Sequence, residues 1–187
     1  PWVHGSDATA RTRSGERAFG PTAAIDYDSV VLDWMDQHLR GTGVASTFGP
    51  TVRYFVMGAN QWKTAYAWPP PARQTSYFLS PTRGGPANRG TLTEAPSAAG
   101  ARPSQIASDP DHPVVNPHQS AGAHDYRALA ERADVLTFDS EPLDRDTEIT
   151  GPISARLFVS CDCRDTDIWA RLLDVGPDGT AFNLMSP

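Results

Sequence analysis

The sequence lacks the features that mark nucleic-acid-binding and membrane-spanning proteins. It has one lysine, Lys63, against fifteen arginines, and its net charge of −6 leaves no basic stripe. No apolar run approaches the roughly 18 residues that a membrane helix needs. We therefore expect neither nucleic acid nor a membrane as a partner of this chain.

Cysteine is nearly absent as well. Cys161 and Cys163 are the two cysteines, and they lie two positions apart in a predicted strand. Side chains at i and i+2 of a strand point the same way, so we expect free thiols that pack or are partly exposed. Two thiols without nearby histidine or cysteine ligands also make a poor zinc site.

A serine nucleophile of the α/β-hydrolase type is absent too. No Gly-x-Ser-x-Gly turn, which presents that serine at a sharp strand-to-helix junction, occurs in the 187 residues. What the chain does have is a 39% hydrophobic fraction. That fraction and this length suffice for one packed domain, or for a domain with a remnant of another.

Residues 26–40 carry the pattern of an amphipathic helix. Asp26 or Asp28 can cap it, and apolar side chains recur at i, i+4 and i+8 up to Leu39. Gly41 follows at the usual carboxyl-terminal position. His38 lies in the last turn, where a histidine suits the helix dipole, so we assign it a structural role. The preceding residues 5–24 are polar and are predicted to form a loop.

From residue 50 onward, short strands separated by turns are predicted. They cover residues 51–57, 75–79, 135–138, 148–150, 153–160, 168–175 and 181–184. Short strands of this kind favour a mainly β fold, an antiparallel β-sandwich of the jelly-roll type.

Residues 80–125 show little periodicity and are rich in proline, glycine, alanine and serine. So long an irregular stretch is uncommon in a compact domain unless it is functional, and it can wrap a neighbouring domain. His112, His118 and His124 lie in it, six residues apart. Metal ligands on a loop are usually closer and no carboxylate pattern accompanies these three, so we predict neither a metal nor a cofactor.

Ten short segments of the chain form a recognisable series: 1–5 (PWVHG), 31–39 (VLDWMDQHL), 54–62 (YFVMGANQW), 68–70 (WPP), 77–79 (YFL), 109–110 (DP), 132–136 (RADVL), 141–143 (EPL), 148–152 (EITGP) and 165–175 (DTDIWARLLDV). In sequence and in order, they resemble segments of the CocE/NonD serine hydrolases, a family of acyl esterases and Xaa-Pro dipeptidyl-peptidases. Two departures from the family pattern bear on substrate choice. Asn116, Pro117 and His118 stand where a Gly-Gly pair is usual, and Cys161 and Cys163 replace small residues.

The resemblance implies two parts and one catalytic residue. Residues 1–49 would be the carboxyl-terminal remnant of an α/β-hydrolase domain, with its catalytic-histidine loop and last helix. Residues 50–187 would be a galactose-binding-like jelly roll, truncated at its end. His4 would be the general base. Because the triad order is Ser, Asp or Glu, then His, its partners would lie upstream, and the isolated chain should be inactive.

The function implied is that of a serine hydrolase fragment, acyl esterase or Xaa-Pro dipeptidyl-peptidase-like. Its partners would be a small ester or peptide substrate and the upstream hydrolase domain, and self-association into a homo-oligomer is allowed. A cytoplasmic location is expected, although a targeting signal would lie upstream. In this function the β domain can cover the active site and narrow the acyl pocket.

The alternative is a carbohydrate- or ligand-binding β-sandwich without catalysis, in which Trp62, Trp68 and Trp169 stack on a sugar. Packing in a core or an interface is the ordinary role of such tryptophans. A binding module would not need the Trp-x-His turn and helix at its front, so the hydrolase fragment is favoured.

Overall fold

The computed structural model describes residues 9–40, 52–81, 86–97 and 102–184. Regular structure in these ranges is mainly β. The strands are β1 Arg13–Ser14, β2 Arg17–Ala18, β3 Val52–Val56, β4 Gln61–Ala65, β5 Phe78–Pro81, β6 Arg89–Thr93, β7 Thr137–Asp139, β8 Leu173–Val175 and β9 Ala181–Asn183. The helical elements are α1 Tyr27–Met35, its π-helical continuation Asp36–Arg40, and the 3₁₀ turns Pro21–Ala23 and Arg127–Glu131.

Helix α1 begins where the sequence predicts. Asp26 is the N-cap: its Oδ1 accepts from the Ser29 backbone N–H at 3.1 Å and its Oδ2 accepts from the Ser29 hydroxyl at 2.7 Å. These bonds to the carboxylate lower the pKa of Asp26, the hydroxyl contributing most. None of the α1 residues is buried, and Trp34 is 57% exposed. The helix is thus capped by its own sequence but not packed on the described residues.

The strands form four small sheets in the described ranges. Strands β1 and β2, β3 and β4, and β8 and β9 make antiparallel pairs. The third sheet has the order β5-β6-β7, with β5 antiparallel and β7 parallel to β6. The mainly β prediction is therefore confirmed, while the jelly-roll sandwich and the division at residue 49 stay predictions.

The predicted loop at 5–24 is wrong for its described part. Residues 13–18 form the β1-β2 hairpin, and Phe19, which follows it, is 1% exposed. The Phe19 ring meets the edge of Phe55 at 6.3 Å between centroids. Trp62 donates from Nε1 to the Thr22 carbonyl at 2.7 Å. Few apolar residues are present in this segment, but they pack against β3 and β4, and this burial fixes its course.

Several strand predictions need correction. No strand forms at 148–150 or 153–160. The strands predicted at 75–79 and 135–138 begin and end later, as β5 and β7, and the one at 168–175 is shortened to β8. Two strands were not predicted: β4, where a loop with Trp62 and Trp68 was expected between the first two strands, and β6, inside the stretch predicted to be irregular. An alternation of apolar residues shows that a segment suits a β-sheet. A strand forms only where the backbone of a second strand pairs with it through hydrogen bonds. Residues 152–170 are exposed throughout and find no such partner among the described residues.

Within the described ranges, no helix has both the length and the apolar character that crossing a bilayer requires.

Candidate functional site

His4, the predicted general base, lies outside the described residues. The described chain begins a few residues later, at a point where it is held in place. Thr9 forms a parallel bridge with Ile25, and the Ala10 backbone N–H donates to the Ile25 carbonyl at 3.1 Å. The chain leaving the predicted catalytic turn is therefore anchored to the segment that leads into α1.

Three side chains that can bind a proton or a metal meet in the described structure. Glu16, His118 and His124, here called the histidine centre, each offer one ligand atom, and these atoms lie within 4.8 Å of one another. Glu16 Oε1 lies 3.5 Å from His124 Nδ1 and 3.9 Å from His118 Nδ1. The two imidazole rings stack at 4.4 Å between centroids. Both rings thus present Nδ1 to one carboxylate.

Glu16 reaches this position through the β1-β2 turn. Gly15 has φ +58°, and a Cβ on it would lie 2.3 Å from the Ala123 carbonyl oxygen. Only glycine allows both this backbone conformation and this close approach. The approach lets the Glu16 backbone N–H donate to the Ala123 carbonyl at 2.8 Å, one residue before His124.

Asn183 of β9 holds the His124 side of the centre. It is 5% exposed; its Oδ1 accepts from the His124 backbone N–H at 2.7 Å and its Nδ2 donates to the Gly122 carbonyl at 3.0 Å. On the other side, Asn116 Oδ1 accepts from the His118 backbone N–H and from the Tyr126 hydroxyl, both at 3.1 Å. The buried Asn183 amide and the exposed Asn116 amide therefore fix the loop that carries both histidines.

The charge on Glu16 is favoured at this site. Its pKa is lowered, chiefly because the Asp125 backbone N–H donates to Oε2 at 3.1 Å, with the two histidines adding to the effect. His124 is 5% exposed, whereas Glu16 is exposed, so the centre opens to solvent on the carboxylate side. Two imidazoles and a carboxylate in this arrangement can share a proton or bind a cation.

The third histidine of the 80–125 stretch lies apart from this centre. His112 Nδ1 contacts Asp109 Oδ2 at 2.8 Å, and both side chains are largely exposed. They line a shallow open depression together with Arg132 and Asp134. The structure thus joins only two of the three histidines, and it adds Glu16, a carboxylate distant in sequence that spacing could not reveal.

The tryptophans of the alternative hypothesis have different surroundings. Trp62 packs on Phe55 at 5.3 Å and under the Arg53 guanidinium at 4.3 Å, in addition to its bond to Thr22. Trp68 and Trp169 are more than half exposed. Trp62 is therefore used in internal packing, the ordinary role weighed above.

The two cysteines are free and exposed. The prediction of free thiols is confirmed, although the strand predicted around them does not form. Each thiol donates to a nearby carbonyl, Cys161 to that of Cys163 and Cys163 to that of Asp165. The neighbouring Cys161 thiol raises the pKa of Cys163, which disfavours a reactive thiolate.

Comparison with known proteins identifies the family. Residues 44–186 match the X-Pro dipeptidyl-peptidase C-terminal non-catalytic domain. The chain is 35% identical to the cocaine esterase of Rhodococcus sp. (strain MB1 Bresler), in an alignment that covers 98% of this chain and 34% of that protein. The chain belongs to the CocE/NonD hydrolase family. The resemblance noted from the sequence is therefore confirmed.

Two further relatives are candidate serine esterases, by their names, from Mycobacterium bovis and Mycobacterium tuberculosis. Each is 35% identical over 165 residues, which are 83% of this chain and 25% of the relative. The chain thus spans about a third of the length of the cocaine esterase and a quarter of these two proteins. In these relatives, which are named as esterases, the region that matches this chain is one part of a longer polypeptide.

Proposed function

We propose that this chain is the carboxyl-terminal, non-catalytic part of a serine hydrolase that cleaves esters or Xaa-Pro-type peptides. The observation that carries the proposal is the 35% identity to a cocaine esterase along 98% of the chain. The family description of residues 44–186 as non-catalytic supports it, as does the lack of a Gly-x-Ser-x-Gly turn. The nucleophile and the acid of the triad would belong to the upstream domain of the longer enzyme.

His4 is proposed as the general base of that triad. A serine hydroxyl is a weak nucleophile at neutral pH, so a histidine within hydrogen-bond reach takes its proton as the hydroxyl attacks the acyl carbon. The same histidine then returns the proton to the departing alcohol or amine. A carboxylate fixes the imidazole tautomer during this exchange. This chain would supply only the base, and it should not hydrolyse substrate alone.

The β region then serves to hold the catalytic turn in place. The support is the anchoring of residues 9–25, which follow His4: Trp62 of β4 donates to the Thr22 carbonyl, and the buried Phe19 ring packs on Phe55 of β3. A general base works only within about 3 Å of the atom whose proton it accepts. A domain without catalytic groups can therefore be needed for catalysis, because it limits where the base can lie.

The apolar face of α1 supports a contact with the upstream domain. Trp34 is 57% exposed, Met35 43% and Leu39 of the π-helical continuation 74%, and neither helical element has a buried residue. Exposed patches of this kind usually mark an interface. We place the body of the hydrolase domain on this face, as expected for the last helix of that domain.

The proposal is tested in the longer enzyme by replacing His4 with alanine. Because a triad acts as a unit, kcat/KM for an activated ester should fall on the order of a thousandfold or more. His112→Ala is the matched control, since His112 also pairs with a carboxylate but is exposed and distant in sequence. Near-normal turnover of the His4 variant would refute the assignment of the base.

A further inference from the structure

We propose that Glu16, His118 and His124 bind a divalent transition-metal ion, with Zn²⁺ as the representative cation. This site uses none of the proposed triad residues, and the proposal does not depend on the triad assignment. Imidazole nitrogens and a carboxylate oxygen are the ligands that Zn²⁺ takes in proteins together with thiolates. The site would have three protein ligands, one from the β1-β2 turn and two from the loop before Tyr126.

The hydrogen bonds around His118 leave its Nδ1 available as a ligand. His118 Nε2 lies 2.9 Å from the Asp125 carbonyl oxygen. A carbonyl oxygen only accepts hydrogen bonds, so Nε2 carries the proton, and in the neutral ring Nδ1 holds a lone pair. That lone pair faces the Glu16 carboxylate. A bond from the second ring nitrogen to a backbone carbonyl is the usual support of a metal-bound histidine.

His124 is the second, independent indication of a ligand. Its side chain is 7% exposed, and its Nδ1 is buried without a hydrogen-bond partner while it points towards Glu16. A buried nitrogen in this state costs free energy unless something binds it. Its Nε2 lies 3.2 Å from the Ser120 hydroxyl, which can accept the ring proton. Both histidines thus present Nδ1 to one carboxylate, and in rings that carry their proton on Nε2 a cation can take the place of a proton between Nδ1 and Glu16.

The two distances from the carboxylate suit a tetrahedral ion, and the two stacked rings, whose planes lie 13° apart, must turn about their side-chain bonds for both Nδ1 lone pairs to meet at it. With bonds of about 2.0 to 2.1 Å, tetrahedral Zn²⁺ places neighbouring ligand atoms about 3.3 Å apart. The separations from Glu16 Oε1, 3.5 Å to His124 and 3.9 Å to His118, are close to that value. The Asp125 backbone N–H meanwhile orients the carboxylate through Oε2. The exposed side of Glu16 leaves the fourth position open to water.

The experiment is a zinc titration of the full chain in competition with a chromophoric chelator. Cys161 and Cys163 are both changed to serine first, because exposed thiols would bind zinc by themselves. In that background we compare Glu16→Gln and His118→Gln with the control His112→Gln. Glu16→Gln keeps an oxygen that accepts from the Asp125 N–H, so it tests the ligand while preserving the fold. Far-ultraviolet circular dichroism checks each variant.

We expect one equivalent of zinc to bind to the chain with both cysteines changed to serine, and equally to that chain with His112→Gln. Each ligand variant should lose about tenfold to hundredfold in affinity, the loss found when even supporting groups of a site are removed. Co²⁺ should give the visible absorption of a four-coordinate ion, and Mg²⁺ should not compete, because imidazole is a poor ligand for it.

If the chain with both cysteines changed to serine does not bind zinc stoichiometrically, the proposal is overturned. The histidine centre would then bind only a proton. Unchanged affinity in Glu16→Gln would overturn it equally, as would competition by Mg²⁺. If His118→Gln does not fold, the Glu16→Gln result alone decides.

Discussion

At the scale of single residues, paired polar groups determine how the irregular parts of the chain are held. Arg132 and Asp134 make a bidentate pair, with Nε and Nη2 each 2.7 Å from a carboxylate oxygen. The same guanidinium donates to the His112 carbonyl at 2.7 Å. Forked contacts of this kind are the strong form of the ion pair. They fix the chain just before β7, where few apolar side chains are buried.

Asp134→Asn should lower the urea midpoint of unfolding at about pH 7. The Arg132 guanidinium lowers the pKa of Asp134 below its unfolded value of about 3.9. The pair therefore stabilises the fold above that value, and this contribution is lost as the pH falls through the lower, folded pKa. The difference in midpoint between wild type and variant should thus shrink as the pH is lowered from about 7 to about 3.

The control for this prediction is Asp144→Asn. Asp144 also neighbours an arginine, Arg145, but the two groups are 4.0 Å apart and almost fully exposed. Exposed pairs contribute little to stability. Equal effects of the two substitutions, or a difference that does not change with pH, would contradict the role given to Arg132 and Asp134.

Single residues also show what the sequence could reveal about the histidine centre. His118 and His124 were visible as candidates, but their spacing of six gave no reason to favour them over His112. Glu16 and Asn183, which complete and support the centre, come from the two ends of the described chain. Only the folded backbone brings them together, so local spacing led to the prediction of no metal site.

At the scale of elements, the β1-β2 hairpin depends on a glycine. Gly15→Ala should destabilise the chain by more than about 1 kcal/mol, because a left-handed conformation costs about that much for a residue with a Cβ. A steric clash is added here, since the Cβ would lie 2.3 Å from the Ala123 carbonyl oxygen. Urea unfolding of the purified chain measures the loss.

Gly179→Ala separates the two contributions. Gly179 has φ +78°, but a Cβ there would have nothing within 4 Å. It should therefore show the conformational cost without the clash, and Gly15→Ala should be the more destabilising change. Equal losses in the two variants would mean that the close approach to Ala123 does not hold the hairpin.

Elements were predictable where the local sequence suffices. Helix α1 has its cap at Asp26, and its start was predicted from the Asp and apolar pattern alone. Strands β3 and β9 were predicted close to their true bounds. Residues 153–160 have the apolar content of a strand, yet Phe158 is 95% exposed. Whether such a segment becomes a strand depends on a partner elsewhere, which propensity does not encode.

At the scale of the whole molecule, the described residues bury little. Their buried apolar side chains are Phe19, Ala23, Tyr126 and Ala181, while Trp34 and Leu39 of the helical segment lie open. Large exposed apolar surfaces tend to associate. We expect the isolated chain to self-associate, with a mass by light scattering that rises with concentration.

Replacing Trp34 and Leu39 with glutamate should reduce that association, because charge on the helix face opposes its burial. Replacing the exposed Tyr66 with glutamate is the control, since it lies on a different surface. A wild-type chain that stays monomeric at tens of micromolar would contradict the prediction. So would association that the helix variant leaves unchanged.

The central claim is that this chain belongs to a serine hydrolase but does not carry its nucleophile. A fluorophosphonate, which reacts with activated serines, tests it most directly when the labelled longer enzyme is digested and mapped by mass spectrometry. The label should occupy one serine upstream of Pro1, and the isolated 187-residue chain should remain unlabelled. A stoichiometric label on any serine within residues 1–187 would contradict the claim, because the nucleophile would then lie in this chain.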